Sequence, residues 1–181
     1  MPAKRNMRVV GQCPAIFPCI GQNKHFYGGK TMTVQEIQEI GFEKAVFGGY
    51  DMGLMGETAK ATILAGGKVI GVVPTKLEEK GRVCTFLDEV IHTHNLSERK
   101  DIMTEKSDIL VALPGGIGTL DEIFHVMAAA SIGYHRKKVI FYNEYGFYDE
   151  LLKTLKTLED KGFARQPFCT YYEIAITPEE L

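Results

Sequence analysis

Several features that would place a chain in a functional class at once are absent from these 181 residues. There is no cationic excess. The formal net charge is −2 and the pI is near 6.2. Lys and Arg gather only in short groups such as Arg136-Lys137-Lys138, so there is no electrostatic footprint for nucleic acid. The four cysteines (Cys13, Cys19, Cys84, Cys169) show neither CxxC spacing nor a surrounding metal-ligand pattern, so no metal and no cofactor are expected. No apolar run is long enough to span a bilayer. The polar opening MPAKRNMR does not read as a signal peptide, and free thiols in a reducing cytoplasm are the expectation. Internal repeats and low-complexity segments are missing as well. GGKT at 28–31 is not a P-loop, because Lys24 stands where that pattern needs its first glycine.

What is present is an alternation of short apolar runs and amphipathic segments. With 45% hydrophobic residues the chain can build one well-packed domain, spanning 1–181. Strands are expected at Met7–Val10, Ala45–Phe47, Lys68–Val73, Glu89–Thr93, Ile109–Leu113, Lys138–Tyr142 and Glu173–Thr177. Helices are expected from Thr33 to Gly41, from Gly53 to about Ala65, from Asn95, from Thr119 to about Ile132, and from Tyr148 to Lys161. Residues 78–82 read as a surface loop, and Pro178 as the start of a helix that stops with the chain. This order predicts an α/β fold, a doubly wound, mostly parallel sheet flanked by helices. Ligands in such sheets sit beyond the carboxyl ends of the strands.

One stretch organises the rest: SDILVALPGGIGTLDE, residues 107–122. A buried-type strand ends in Pro114-Gly115-Gly116, and Gly118 and Thr119 open a helix. Strand, glycine turn and helix N-terminus in that order form an anion site, where free N–H groups and the helix dipole favour negative charge. Gly48-Gly49 and Gly53-Leu54-Met55-Gly56 form a second unit of the same kind, which tight packing alone would also explain. His92 and His94 share a strand face but lack a third ligand, so they read as ordinary strand-end histidines. Asn95 and Glu98 are spaced as a capping box. Arg99 falls amid the helical stripe Leu96–Ile102–Met103, where a guanidinium aimed inward requires an anionic partner. Glu122 admits two readings: a capping box closed back on Thr119, or a carboxylate facing a cleft.

PGGIGTLDE at 114–122, GGYDMGLMG at 48–56 and SERK at 97–100 together resemble the LOG (Lonely Guy) family, over roughly residues 44–181. Its members are phosphoribohydrolases of nucleoside 5′-monophosphates, often mislabelled lysine decarboxylases. The resemblance implies a Rossmann-like homodimer and a catalytic pair that falls on Arg99 and Glu122. It also implies phosphate and substrate contacts from Gly48, Gly49, Gly53, Met55, Glu98, Lys100, Pro114, Gly115, Gly116, Gly118 and Thr119. The implied reaction frees a purine-type base and ribose 5-phosphate from AMP or an N6-substituted, cytokinin-type AMP. A carrier of nucleotide or molybdenum cofactor on the same scaffold is the alternative. Lysine decarboxylation is disfavoured, since no lysine stands in an evident pyridoxal-phosphate context. The chain departs from the family at Tyr50, expected to project where a glycine is usual, at Ser97, and at Ala129-Ala130-Ser131, expected to reshape the base pocket.

Overall fold

The structure, a computed structural model, describes residues 5–10, 42–51, 53–79, 81 and 83–181. The helix expected from Thr33 lies outside these residues, as do Cys13 and Cys19. Seven parallel strands form one sheet: β1 (Arg5–Val10), β2 (Phe42–Phe47), β3 (Lys68–Pro74), β4 (Glu89–Thr93), β5 (Ile109–Ala112), β6 (Val139–Tyr142) and β7 (Tyr172–Ala175). Their spatial order is β4-β3-β2-β1-β5-β6-β7. The chain steps outward from β1 to β4 and then crosses back to place β5 on the other side of β1, with Met7 opposite Ile109 and Val10 opposite Ala112. The reversal makes the carboxyl ends of β1 and β5 the switch point at which α/β sheets open a crevice.

Among the described residues five helices accompany the sheet: α1 (Gly53–Leu64), α2 (Thr75–Glu78), α3 (Leu96–Glu105), α4 (Ile117–Ser131) and α5 (Asp149–Asp160). Both faces of the central strands β2, β3, β5 and β6 are mostly apolar, and both are covered. Ala45, Phe47, Val69 and Val111 pack with Met55, Ala59 and Ala61 of α1 on one face. On the other, Leu110, Ala112, Val139 and Phe141 meet Ile123, Val126 and Met127 of α4 and Leu155 of α5, while Val46, Ile70 and Val72 meet Met103 of α3. Near-continuous burial along a strand such as β3, exposed only at Lys68, is what a parallel sheet between two helical layers requires. Truncating a fully buried ring such as Phe47 to Ala would cost about 3–5 kcal/mol.

A helical turn, α2, stands directly after Pro74 and ends at Glu78, where the expected surface loop starts. Three expectations need correction. The last strand is Tyr172–Ala175, set by its pairing with β6 from Val139 to Tyr142, rather than 173–177. Pro178–Glu180 forms only a 3-10 turn. The correction with the greatest consequence for the site is that α4 begins at Ile117, two residues before Thr119.

Candidate active site

The N-terminus of α4 follows directly on β5. Gly116 is its N-cap, in an extended conformation (φ −93°, ψ −152°), and no side chain caps it. The first intrahelical bond runs from Leu120 N–H to the Gly116 carbonyl, 3.1 Å. The N–H groups of Ile117, Gly118 and Thr119 therefore belong to the first turn, which has no intrahelical acceptors to offer them. No acidic side chain stands in that turn. Pro114, Gly115, Gly116 and Gly118 are half-buried, Thr119 is buried, and Ile117 is 77% exposed. A fifteen-residue helix thus brings to the sheet's carboxyl edge a positive end that has no side-chain cap among the described residues.

The early start of α4 removes the capping-box reading of Glu122. Thr119 is the third residue of the helix, not its cap, so Glu122 cannot close a box upon it. The buried stripe of α4 is Thr119, Glu122, Ile123, Val126 and Met127, a helical repeat with a carboxylate in its middle. Phe124 lies off this stripe and is exposed. Glu122 Oε1 accepts from Arg99 Nη1 at 2.6 Å, and the two side chains are only 2% and 3% exposed. Arg99 Nε donates to the Val72 carbonyl of β3 at 3.0 Å. Its remaining nitrogen, Nη2, is buried and finds no partner among the described residues. Burying an ionised group is tolerable only when it is paired. The pair leaves the helix end uncancelled, because Glu122's charge is balanced by Arg99.

The Arg99 helix differs in detail from its expected stripe. Leu96 is 51% exposed, and the buried face is Arg99, Lys100, Met103 and Thr104. Lys100, an edge residue by helical spacing, is buried and reaches Asp121 Oδ1 at 2.8 Å. His125 Nε2 lies 2.9 Å from Asp101 Oδ1. Three consecutive residues of α3 therefore engage three residues of α4. Asn95 caps α3, its Oδ1 accepting from Ser97 and Glu98 N–H. The Glu98 carboxylate accepts from His94 N–H at 2.7 Å, one residue before the N-cap. The side chains of Glu98 and Lys100 are therefore both engaged within the protein.

The other glycine turn is built differently. Gly49 has φ +78°, and a Cβ there would stand 2.5 Å from Val73 Cγ2. Its carbonyl accepts from Cys84 N–H at 2.8 Å. Gly56 is pressed against Asp51, which a Cβ would meet at 2.6 Å. Gly53 opens α1 at φ +55°. Gly48 and Gly49 are buried, and Met55 and Tyr50 belong to the core cluster with Ala59 and Cys84. Tyr50 does not project: its backbone bridges Val83 and its ring packs inward, because the 83–88 segment folds over it. About twelve residues of helix, or ~18 Å, separate Ala129-Ala130-Ser131 from Gly118, so within one chain that run does not border the turn.

Arg99 and Glu122, both marked by sequence pattern, meet in the structure. The Val72 carbonyl and Asp121 carry no such mark, since no local pattern identifies residues recruited from another element. A separate concavity of about 560 Å³ lies beyond the far end of α4, among Ser131, His135, Arg136, Gln166 and Tyr171. It shares no residue with the glycine turns. Among the described residues no group of three or more His, Cys, Asp or Glu side chains could hold a metal, and no helix is long and apolar enough to cross a membrane. His92 instead pairs with Glu78 at 3.1 Å.

Residues 55–181 match the family described as "Possible lysine decarboxylase". A probable cytokinin riboside 5′-monophosphate phosphoribohydrolase of Oryza sativa subsp. japonica is 45% identical over 118 residues, covering 65% of this chain and 52% of that protein. A cytokinin riboside 5′-monophosphate phosphoribohydrolase of Mycobacterium tuberculosis is 37% identical over 118 residues, covering 65% and 63%. The chain thus spans about half the length of the rice relative. Among solved structures, the molybdenum cofactor carrier protein of Chlamydomonas reinhardtii superposes with a TM-score of 0.66 at 23% identity, covering 98% of this chain and 92% of that one. That likeness establishes the shared fold. With the glycine turn, the Arg99–Glu122 pair and the family match in place, the chain belongs to the LOG family, the one described as possible lysine decarboxylase.

Proposed function

We propose that this chain hydrolyses the N-glycosidic bond of a nucleoside 5′-monophosphate, AMP or an N6-substituted AMP, to free base and ribose 5-phosphate. The observation that carries the reading is the buried Arg99–Glu122 pair, with one guanidinium nitrogen left over, below an uncapped helix N-terminus. The 5′-phosphate binds the N–H groups of the 115–119 turn, with the Gly48-Gly49 turn beside it. Arg99 Nη2 gives its free N–H to the ligand. The Glu122 carboxylate stabilises positive charge on the ribose as the C1′–N bond breaks. It also orients the water that adds to C1′, and the base departs with a proton. Gly53, Met55, Glu98 and Lys100 frame the turns and the Arg99 helix: Met55 packs in the core, Lys100 pairs with Asp121, and the Glu98 carboxylate accepts from His94 N–H.

The outer face of α4 supports a homodimer in the reading. Ile117, Phe124, Ala128 and Ser131 recur there at helical spacing and are exposed. A second copy packed on this face would bring Ala129–Ser131 toward the partner's turn, which a single chain cannot do. The test is incubation with AMP, N6-isopentenyl-AMP and adenosine, with and without EDTA, while free base is followed. The expected result is release from the monophosphates only, unaffected by EDTA. Tight nucleotide binding without release would favour the carrier, and equal turnover of adenosine would remove the phosphate site. Ala128→Glu should weaken both self-association in light scattering and turnover.

A further inference from the structure

No sequence pattern marks Tyr148, yet its ring is fully buried and its hydroxyl donates to the Leu113 carbonyl at 2.5 Å. Leu113 is the residue between β5 and Pro114, the last point at which the sheet constrains the chain before the glycine turn. The peptide whose carbonyl is held is the Leu113–Pro114 peptide. Holding its plane fixes ψ of Leu113, and the proline ring fixes the next φ near −65°. Two consecutive dihedrals at the base of the turn are thus set, and they decide where the N–H groups of residues 115–119 point.

The phenol is delivered by a rigid device. After β6 the chain turns through Tyr145 (φ 64°) and Gly146 (φ 71°), both left-handed. A Cβ on Gly146 would stand 2.5 Å from Asp149 Oδ2. Asn143 ties the turn together. Its N–H donates to the Ala175 carbonyl, its Oδ1 accepts from Tyr148 N–H, and its Nδ2 donates to Asp149 Oδ1. The Tyr148 ring then packs against Phe141 and Phe147 at centroid distances of 4.9 and 4.8 Å. Burial pushes its phenol well above the ordinary tyrosine value, so the hydroxyl stays protonated and remains a donor. A left-handed non-glycine residue is strained and persists only where its surroundings hold it.

We propose that Tyr148 is a positioning residue for the anion-binding turn: its hydroxyl sets the Leu113–Pro114 peptide plane and thereby aims the backbone donors of residues 115–119. The ligand half of this proposal rests on the phosphoribohydrolase reading above, and the backbone half does not. Tyr148→Phe removes only the hydroxyl and keeps the ring. Phe141→Leu, the comparison variant, loosens the same aromatic cluster and leaves the hydroxyl in place.

Amide hydrogen exchange followed peptide by peptide tests the backbone half. In Tyr148→Phe the 113–120 peptide should exchange roughly tenfold faster while β6 and α5 stay protected. In Phe141→Leu, protection should fall across β6 and α5 in step with Tm. The ligand half is read by calorimetry with ribose 5-phosphate. Tyr148→Phe should lose roughly tenfold to a hundredfold in affinity, as expected when binding groups are misplaced by less than an ångström or so. In turnover of AMP, KM should rise more than kcat falls. Unchanged exchange of the 113–120 peptide overturns the proposal whatever the ligand does. So does a loss of affinity that merely follows Tm in both variants. If the wild-type chain binds no ribose 5-phosphate, the functional reading fails, and hydrogen exchange still decides the role of Tyr148.

Discussion

The two glycine turns of this protein look alike in sequence and are put to different use. Both follow a parallel strand, both precede a helix, and both lie at the carboxyl edge of the sheet. At 48–56 Gly49 and Gly56 are consumed by packing: Gly49 lies against Val73 and Gly71, Gly56 against Asp51, and the 83–88 segment covers Tyr50. At 114–119 nothing among the described residues caps the helix, and the glycines remain half-exposed. Behind the second turn lies a buried ion pair, and behind the first an apolar cluster. A glycine string therefore licenses two things, close packing and open backbone donors. Which one is realised depends on what the rest of the fold places against it.

The largest effect should come from the charge behind the open turn. Glu122→Gln keeps shape and can still accept from Arg99, yet it removes the carboxylate. Turnover of AMP should fall by about 10²–10⁴-fold while nucleotide affinity persists. Assays at a temperature well below Tm are needed, since a hydrogen bond to a charged partner is worth about 1.5–3 kcal/mol. Unchanged hydrolysis would sink the catalytic assignment.

Next in size is Arg99. From the sequence, Arg99→Ala is expected to lose activity through the missing anion partner, with some destabilisation because the residue lies amid Leu96, Ile102 and Met103. The structure alters that expectation, because the change strands Glu122 in the interior. Removing one partner of a buried pair costs about 3–5 kcal/mol, to be read as a drop in urea midpoint. The double variant Arg99→Met with Glu122→Leu sharpens the point. It should recover most of that stability and have no activity, which separates a pair kept for chemistry from one kept for folding. A double variant as unstable as Arg99→Ala would say the charges themselves hold the helices together.

The glycines test the comparison directly. Gly49→Ala places a side chain in left-handed backbone and against Val73, and should cost about 2–4 kcal/mol. Gly118→Ala sits in the first turn of α4, where alanine suits the helix better. Stability should hold or rise by up to about 1 kcal/mol while ribose 5-phosphate affinity falls. If Gly49→Ala leaves Tm unchanged, or Gly118→Ala leaves affinity unchanged, the contrast between packed and open turns is lost.

The smallest effect concerns Cys84, folded over the packed turn. Burial raises its thiol to about 11. In the native protein it should resist a thiol reagent at pH 8, whereas exposed Cys169 should be labelled, as read by mass spectrometry of the two peptides. The shift favours the neutral form in the folded state. It leaves stability untouched well below the ordinary thiol value, where both states are protonated, and lowers stability as pH rises from about 9 toward 11, where the unfolded chain releases the proton that the folded one retains. Rapid labelling of Cys84 at pH 8 would show that the segment over Tyr50 opens readily.

Much of this is legible along the chain because it is local. Apolar runs of four to seven residues mark the strands, and helical spacing marks α1, α3, α4 and α5. Asn95 with Glu98 marks the start of α3, although the Glu98 carboxylate goes to His94 rather than to the cap residue. Boundaries shift where pairing with a neighbour overrides local pattern, as at β7, which ends where β6 ends. The Leu96 stripe fails for a similar reason. A period of 3.6 fixes which residues share a face, but it does not say which face the fold buries, and Arg99 with Lys100 wins over Leu96 once Glu122 and Asp121 stand opposite.

By itself, then, the sequence determined the alternating α/β order, the strand–glycine–helix unit at 107–122, and the presence of an inward arginine in need of an anion. Only the tertiary structure decided that its partner is Glu122, 23 positions away on another helix, and that α4 begins early enough to leave Glu122 free of capping. It alone decided that Gly49 and Gly56 are packed while the helix end at 114–119 has no side-chain cap among the described residues, and that a phenol from beyond β6 holds the Leu113 carbonyl. The division follows the range of the forces. Backbone periodicity and capping act within a few residues. Burial, ion pairing and the direction of a helix end depend on which distant segments the sheet brings together.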